Sequence, residues 1–268
     1  MRIIGYVAVN VFKESVRDKV LYNLVAFASL LIAVSYLLGQ LTAGQDVKIV
    51  KDLGLAAIAT FGLLISVFIG IGLVWKEVER RSIYSLLSKP IRRSEFIIGK
   101  YAGLALTLFV NVVVMTVVFY AVLAYLNTQF PEATRTAWPA PATDPGMLRA
   151  IVLIFVQLLL VTAIALFFST FSSPFLSAAL TFGLWVIGHF NTDLRNFEAV
   201  VESRPAAYLA RGLYYLLPNF AAFDIKTQVV HALPVPDSYV VTTALYGLVY
   251  ISLLLTGAVV IFSKRDFK

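Results

Sequence analysis

The chain has 268 residues, 60% of them hydrophobic and 14% charged, with a mean hydropathy of +0.85. A soluble domain is about 45–50% apolar and about 25% charged, so water alone cannot solvate this sequence and lipid must be part of its solvent. The net charge of +7 resides in membrane flanks rather than in a separate basic patch, which excludes nucleic acid as an expected partner, and the lack of cysteine excludes disulfides, thiolate metal sites and cysteine nucleophiles.

Taken in chain order, residues 3–19 read first as an amphipathic helix. Ile4, Ala8, Val11, Phe12 and Val16 recur on one side, and Asn10, Lys13, Glu14, Arg17 and Asp18 fill the other. Such a helix is expected to lie in the membrane interface. No small-residue cleavage site follows it, so the first span is expected to act as an uncleaved signal anchor.

Six uncharged apolar runs then predict spans at about 20–38, 53–75, 101–126, 150–171, 174–190 and 239–262. Each approaches or exceeds the roughly 17–25 residues needed to cross the hydrocarbon core, and the fifth is the shortest. The expected fold is an all-α integral membrane protein. It has six transmembrane helices in a single transmembrane domain covering 1–268, with no nucleotide-binding domain. With the N-terminus inside, fourteen of the twenty-two Lys and Arg fall in the shorter, inner set of segments. The positive-inside rule then puts both termini in the cytoplasm and requires an even number of spans.

The connecting segments differ in character. Asn127 to Met147 holds Pro131, Pro139, Pro141 and Pro145 and predicts an irregular outer loop. Ser172, Ser173 and Pro174 predict a tight antiparallel turn. Between Asn191 and Ser238, Pro205 opens and Pro218 closes an apolar stretch, Ala206 to Leu217. That stretch is too short to span, so a re-entrant or interfacial helix is expected on the outer side, with a second short helix over Phe223–Leu233.

Catalytic signatures are absent: there is no Gly-x-Ser-x-Gly elbow, no His-Glu-x-x-His pair and no carboxylate cluster. No catalytic, cofactor-binding or metal-ligating residue is assigned, and the chain is not expected to be an enzyme. The Gly-x-x-x-x-Gly-Lys-Ser/Thr phosphate loop is also missing, so ATP is not bound here by that device. His189 with Asp193 reads either as an outer metal or proton site or as a polar cluster where the fifth helix leaves lipid. Asn111 and Gln157 are the most polar side chains well inside the runs. They read either as part of a transport path or as amides hydrogen-bonded across helices. Gly99 and Gly103 form a small-xxx-small pair. The runs contain no Asp, Glu, Lys or Arg, which weighs against ion-coupled secondary transport.

The segment from Lys76 to Lys100 is the most informative. It predicts a short helix over about Trp75–Ser88, ended by Pro90, with a membrane helix beginning near Ser94. Charges crowd its front, while Ile83, Leu86 and Leu87 give it an apolar side. Carboxylates mixed with arginines ahead of a proline-broken apolar helix make a docking surface for another protein.

This segment resembles the cytoplasmic coupling region of permease subunits of type-2 ABC exporters. Glu79, Arg80, Ser82, Leu86, Leu87, Pro90, Arg93, Glu95, Gly99 and Lys100 occupy the matching positions. Arg81 stands where the family usually has glycine, and Ser82 where it usually has threonine. The Phe168–Pro174 turn and the closing Phe262–Asp266 also resemble the family. The resemblance implies a dimer with a second permease copy or paralogue, in the bacterial cytoplasmic membrane. Two separate ATP-binding subunits, holding ATP and Mg, would dock on Glu77, Glu79, Arg80, Arg81, Ser82, Leu86 and Leu87. The unidentified substrate would move outward. A secondary transporter or channel, and a non-transporting assembly protein of similar fold, are the alternatives.

Overall fold

The computed structural model describes residues 2–40, 46–79, 92–136, 138–191 and 204–264, and all regular structure among them is helical. Helix α1 (Arg2–Val16) ends in a turn, and the Asp18 carboxylate accepts the Val20 N–H at 3.0 Å. An acceptor there satisfies one of the orphan donors at the start of α2 (Lys19–Gln40). Helix α3 (Asp46–Glu79) extends past both ends of the predicted run and takes Lys48, Lys51 and Asp52 into its first turns. Helix α4 (Arg93–Gln129) starts at the expected place. The Glu95 carboxylate accepts the Arg92 N–H there, at 3.3 Å, so the glutamate of the sequence pattern caps the helix.

The predicted irregular loop is partly helical: α4 persists to Gln129 and α5 (Glu132–Thr136) forms one further turn. Helices α6 (Met147–Ser169) and α7 (Pro174–His189) are joined by the expected tight turn, with Pro174 at the first helical position. Helix α8 (Arg204–Leu216) matches the stretch bracketed by Pro205 and Pro218. The second predicted helix, Phe223–Leu233, contracts to a 3₁₀ turn (Ala221–Phe223) and α9 (Lys226–Val230). Asp224 turns its carboxylate onto the Lys226 N–H, and Ala232 adopts a left-handed φ of 56°, so the helix cannot run through either position. Helix α10 (Asp237–Lys264) closes the described chain.

Among the described residues, five helices are long and apolar enough to cross a membrane: α2, α3 over Val47–Ile71, α4, α6 and α10. The fifth predicted run forms α7, whose 16 residues reach only about 24 Å at 1.5 Å per residue. A hydrocarbon core is about 30 Å thick. Chain arriving from elsewhere meets the end of this helix. The Phe220 N–H donates to the Gly188 carbonyl at 2.9 Å, extending the hydrogen bonding past the last turn of α7. Phe220, Phe223, Ile225, Val229 and Val230 are buried as this segment folds into the bundle. A side chain at Gly188 would run into Phe220 and the Pro218 carbonyl, so the close approach needs glycine there.

The hairpin-like order puts Lys19, Glu79, Arg93, Ser169, Pro174 and Lys264 at one end, here the basal end. Gln40, Asp46, Gln129, Met147 and Asp237 lie at the distal end. Distal ties are short: the Lys51 ammonium donates to the Pro141 carbonyl at 2.9 Å, the Tyr120 hydroxyl to the Asp144 carbonyl at 3.1 Å, and Arg149 pairs with Asp237 at 2.8 Å. Helix α6 forms the centre, with Leu153, Leu160, Val161, Ala163 and Leu166 buried. Helices α2 and α10 keep Phe27, Leu30, Leu37, Leu245, Leu248 and Leu253 on the outside. So much contiguous apolar surface is untenable in water and ordinary against lipid.

The predicted face of α1 is right: Val11 is buried while Tyr6 and Val9 are exposed. That face is covered by protein, however. It packs on α4 where Gly99 and Gly103 leave room, since an added Cβ would meet Val7 and the Ile4 carbonyl at one and Val11 and the Ala8 carbonyl at the other.

Candidate functional site

Two regions collect the residues singled out by the sequence. The first is the basal junction. Arg93, the first residue of α4, donates from Nη1 to the carbonyls of Ser263 at 2.7 Å and Phe262 at 3.1 Å. These carbonyls belong to the last described turn of α10. One turn further on, Phe96 stacks on Phe262 with ring centroids 5.8 Å apart. The fully buried Lys100 sets its ammonium 4.9 Å from the centre of the Phe96 ring. Val11, Ile97, Leu104, Leu166 and Ala258 fill the remaining space. Helices α1, α4, α6 and α10 therefore meet in one cluster beside the point where the chain enters α4.

Four positions of the sequence pattern acquire structural tasks here. Arg93 pins α10, Glu95 caps α4, Gly99 admits α1, and Lys100 lies against an aromatic ring. Glu77 and Glu79 occupy the last turn of α3. Arg80, Arg81, Ser82, Leu86, Leu87 and Pro90 fall outside the described residues, and so does Asp193.

The second region is a cavity of about 250 Å³ in the middle of the bundle. Ala59 and Leu63 of α3, Ile154 and Gln157 of α6, and Trp185 and His189 of α7 line it, with Asp224 and Lys226 at one side. Gln157 and His189, read separately from the sequence, meet here. The His189 Nδ1 lies 2.9 Å from the Trp185 carbonyl, which can only accept, so in the neutral ring Nδ1 carries the proton. Its Nε2 is then an acceptor and faces the Gln157 amide nitrogen at 3.5 Å. The ring also stacks on Phe220, with centroids 5.7 Å apart. His189 is thus half-buried at the last residue of α7, facing α6.

Asn111 does not join them. It is buried on α4 and its amide donates to the Thr107 carbonyl one turn back, at 2.7 Å. Among the described residues no three His, Asp or Glu side chains gather as metal ligands. The Lys226–Asp224 pair, at 3.4 Å, is partly exposed, and such pairs contribute about 0–1 kcal/mol.

Sequence reasoning missed the buried lysines and the arginine clamp. Lys51 and Lys100 stand just before the apolar runs, so hydropathy placed them in water. The helices begin earlier and carry both inward. A lysine within a turn of a span is the signal that was available, because its long stem can reach back to a carbonyl or a ring. The Arg93 clamp joins residues 170 positions apart and has no local signal.

The sequence model of one protein family, described as ABC-2 family transporter protein, matches residues 6–267. No curated protein sequence matches the chain.

Proposed function

The chain belongs to the ABC-2 transporter family, and from that premise we propose that this multi-pass membrane permease subunit exports its substrate when driven by ATP hydrolysed on separate subunits. The permease is a transport component and not itself the catalyst. In this reading two ATP-binding subunits, carrying ATP and Mg, dock on the segment from Glu77 to Leu87. A second permease copy completes the membrane pore. Both termini face the cytoplasm of a bacterial inner membrane, and α7, completed by the segment around Phe220, serves as the sixth crossing.

The observation that carries the coupling mechanism is the basal junction. A push on residues 80–91 reaches Arg92 and Arg93 first. Arg93 is bonded to the end of α10, and its helix is packed against α1. Closure of the ATP-binding subunits would then tilt α1, α4 and α10 together as a rigid body, because a packed cluster moves as a unit sooner than it deforms. Opening between this body and the rest of the bundle follows without unfolding any helix.

Glu79→Lys tests the docking step. It adds positive charge to an inner segment, so orientation in the membrane should hold or firm. At a desolvated interface the reversal costs about 2–5 kcal/mol, a roughly 30-fold or greater loss of complex at limiting concentration. Co-purification of the ATP-binding partner and its substrate-coupled ATPase should both fall while insertion stays normal. Unchanged association and coupling would reduce this segment to an orientation signal. Association without any cargo-stimulated ATPase in the wild type would favour a non-transporting assembly.

A further inference from the structure

The cavity between α3, α6 and α7 is lined by polar atoms that the bundle itself does not satisfy. His189 Nε2 faces the Gln157 amide nitrogen at 3.5 Å, which is long for a hydrogen bond. The Gln157 side-chain oxygen accepts no bond among the described residues, although only 8% of the residue is exposed. The Thr60 hydroxyl makes none either, whereas those of Ser66 on α3 and Thr162 on α6 donate to carbonyls one turn back. Buried polar atoms take partners, and about 250 Å³ leaves room for several waters beside them.

His189 Nε2 is the atom of this group that can change. The Trp185 carbonyl, 2.9 Å from Nδ1, keeps a proton there whether the ring is neutral or charged. In the neutral ring Nε2 accepts from the Gln157 amide nitrogen. With a proton on Nε2, two donors would face each other, and the amide must turn end for end to offer its oxygen. That turn is about a terminal bond with a broad, soft torsion. It puts the amide nitrogen where the oxygen was, so the cavity exchanges an acceptor for a donor.

We propose that this cavity is a hydrated proton-binding site, in which His189 Nε2 takes a proton from water and the Gln157 amide turns over in response. A hydronium ion gives its proton to the Nε2 lone pair and leaves as water, and no other covalent bond changes. Among the described residues, α3 and α6 bring no ionisable side chain to the lining, and α7 brings His189 alone. Asp224 and Lys226 stand at the rim, on the segment that leads to the distal end at Asp237, and their opposite charges pair at 3.4 Å. Both are partly exposed, so water enters past them from the distal side. Histidine changes charge between about pH 5 and 8, and the site therefore answers to pH on that side. It goes beyond the permease reading and does not depend on it.

The test uses the full chain labelled with ¹⁵N-histidine in lipid nanodiscs. There are two histidines, and His231→Gln, at an exposed position, assigns the ring signals. At about pH 8 the His189 ring should carry its proton on Nδ1 with Nε2 bare, and it should convert reversibly to the imidazolium by about pH 5. Gln157→Glu supplies a charged acceptor and should raise the midpoint by about one pH unit or more. Gln157→Leu offers the charged ring no acceptor and should lower it, because the bond to an ion is the stronger of the two lost. Thr60→Cys, in a chain with no other cysteine, should react with a small charged methanethiosulfonate from the side that labels Thr143→Cys. A proton on Nε2 at the higher pH, a ring still neutral at the lower, or a midpoint that either folded Gln157 variant leaves unmoved overturns the proposal. So does a Thr60→Cys protein that is unreactive or labelled only from the opposite side. Should one Gln157 variant fail to fold, the other variant and the wild-type ring spectra decide.

Discussion

Arg93 shows how one side chain can hold two helix ends. Its guanidinium donates to the carbonyls of Phe262 and Ser263 in the last described turn of α10. Charge-assisted bonds of this kind contribute about 1.5–3 kcal/mol in partly buried settings. Arg93→Ala is therefore expected to lower the melting temperature and to loosen the last turn of α10. Arg93→Lys should fall between, since an ammonium keeps the charge but lacks the planar fork. Hydrogen exchange over Val260–Lys264 in lipid reads the local effect. Exchange there identical to wild type in Arg93→Ala would remove the clamp from the mechanism. Arg93 itself was legible from the coupling pattern, but its partners were not. Carbonyls carry no sequence identity, and the partners lie 170 positions apart in the chain.

At the scale of elements, the junction between α1 and α4 depends on absent side chains. A Cβ at Gly103 would lie 2.6 Å from the Ala8 carbonyl oxygen, and one at Gly99 would lie 3.1 Å from that of Ile4. Backbone oxygens cannot rotate away, so α1 must move. Gly103→Val is expected to detach α1 and speed trypsin cleavage after Lys13 and Arg17, whose side chains are already exposed but whose backbone is held in place, while Gly183→Ala, with nothing near its Cβ, should leave digestion as in the wild type. Equal digestion of all three proteins would mean that α1 is not held by this face. The glycine pair and the apolar side of α1 were each visible in the sequence. That they face one another was not, because each feature asks for a close neighbour without naming it. The same holds for Gln157 and His189: each polar residue was visible, and their meeting depends on how α6 and α7 pack. Helix types followed from hydropathy, proline placement and capping. Lengths were less legible, since charged residues such as Lys51 and Lys100 continue a helix whenever a neighbour accepts them.

For the whole molecule, the alternation of basal and distal ends makes orientation a measurable property. The chain has no cysteine, so single substitutions give labelling without background. Thr143→Cys, on the exposed distal turn, is expected to react with an impermeant maleimide applied outside intact cells. Lys89→Cys and Lys268→Cys are expected to react only after permeabilisation. Reaction of positions 89 and 143 from the same side would sink the six-crossing arrangement, and reaction of 268 from outside would make the number of crossings odd.

The short helix α7 also bears on how the protein is made. During synthesis Gly188 and His189 leave the ribosome well before Phe220, the residue that later takes the Gly188 carbonyl and stacks on the imidazole. In the six-crossing reading, α7 would until then end within the hydrocarbon with an unpaired carbonyl and an uncovered ring, a state that lipid tolerates poorly. The α6–α7 hairpin is then expected to be completed only once the Pro218–Val230 segment arrives.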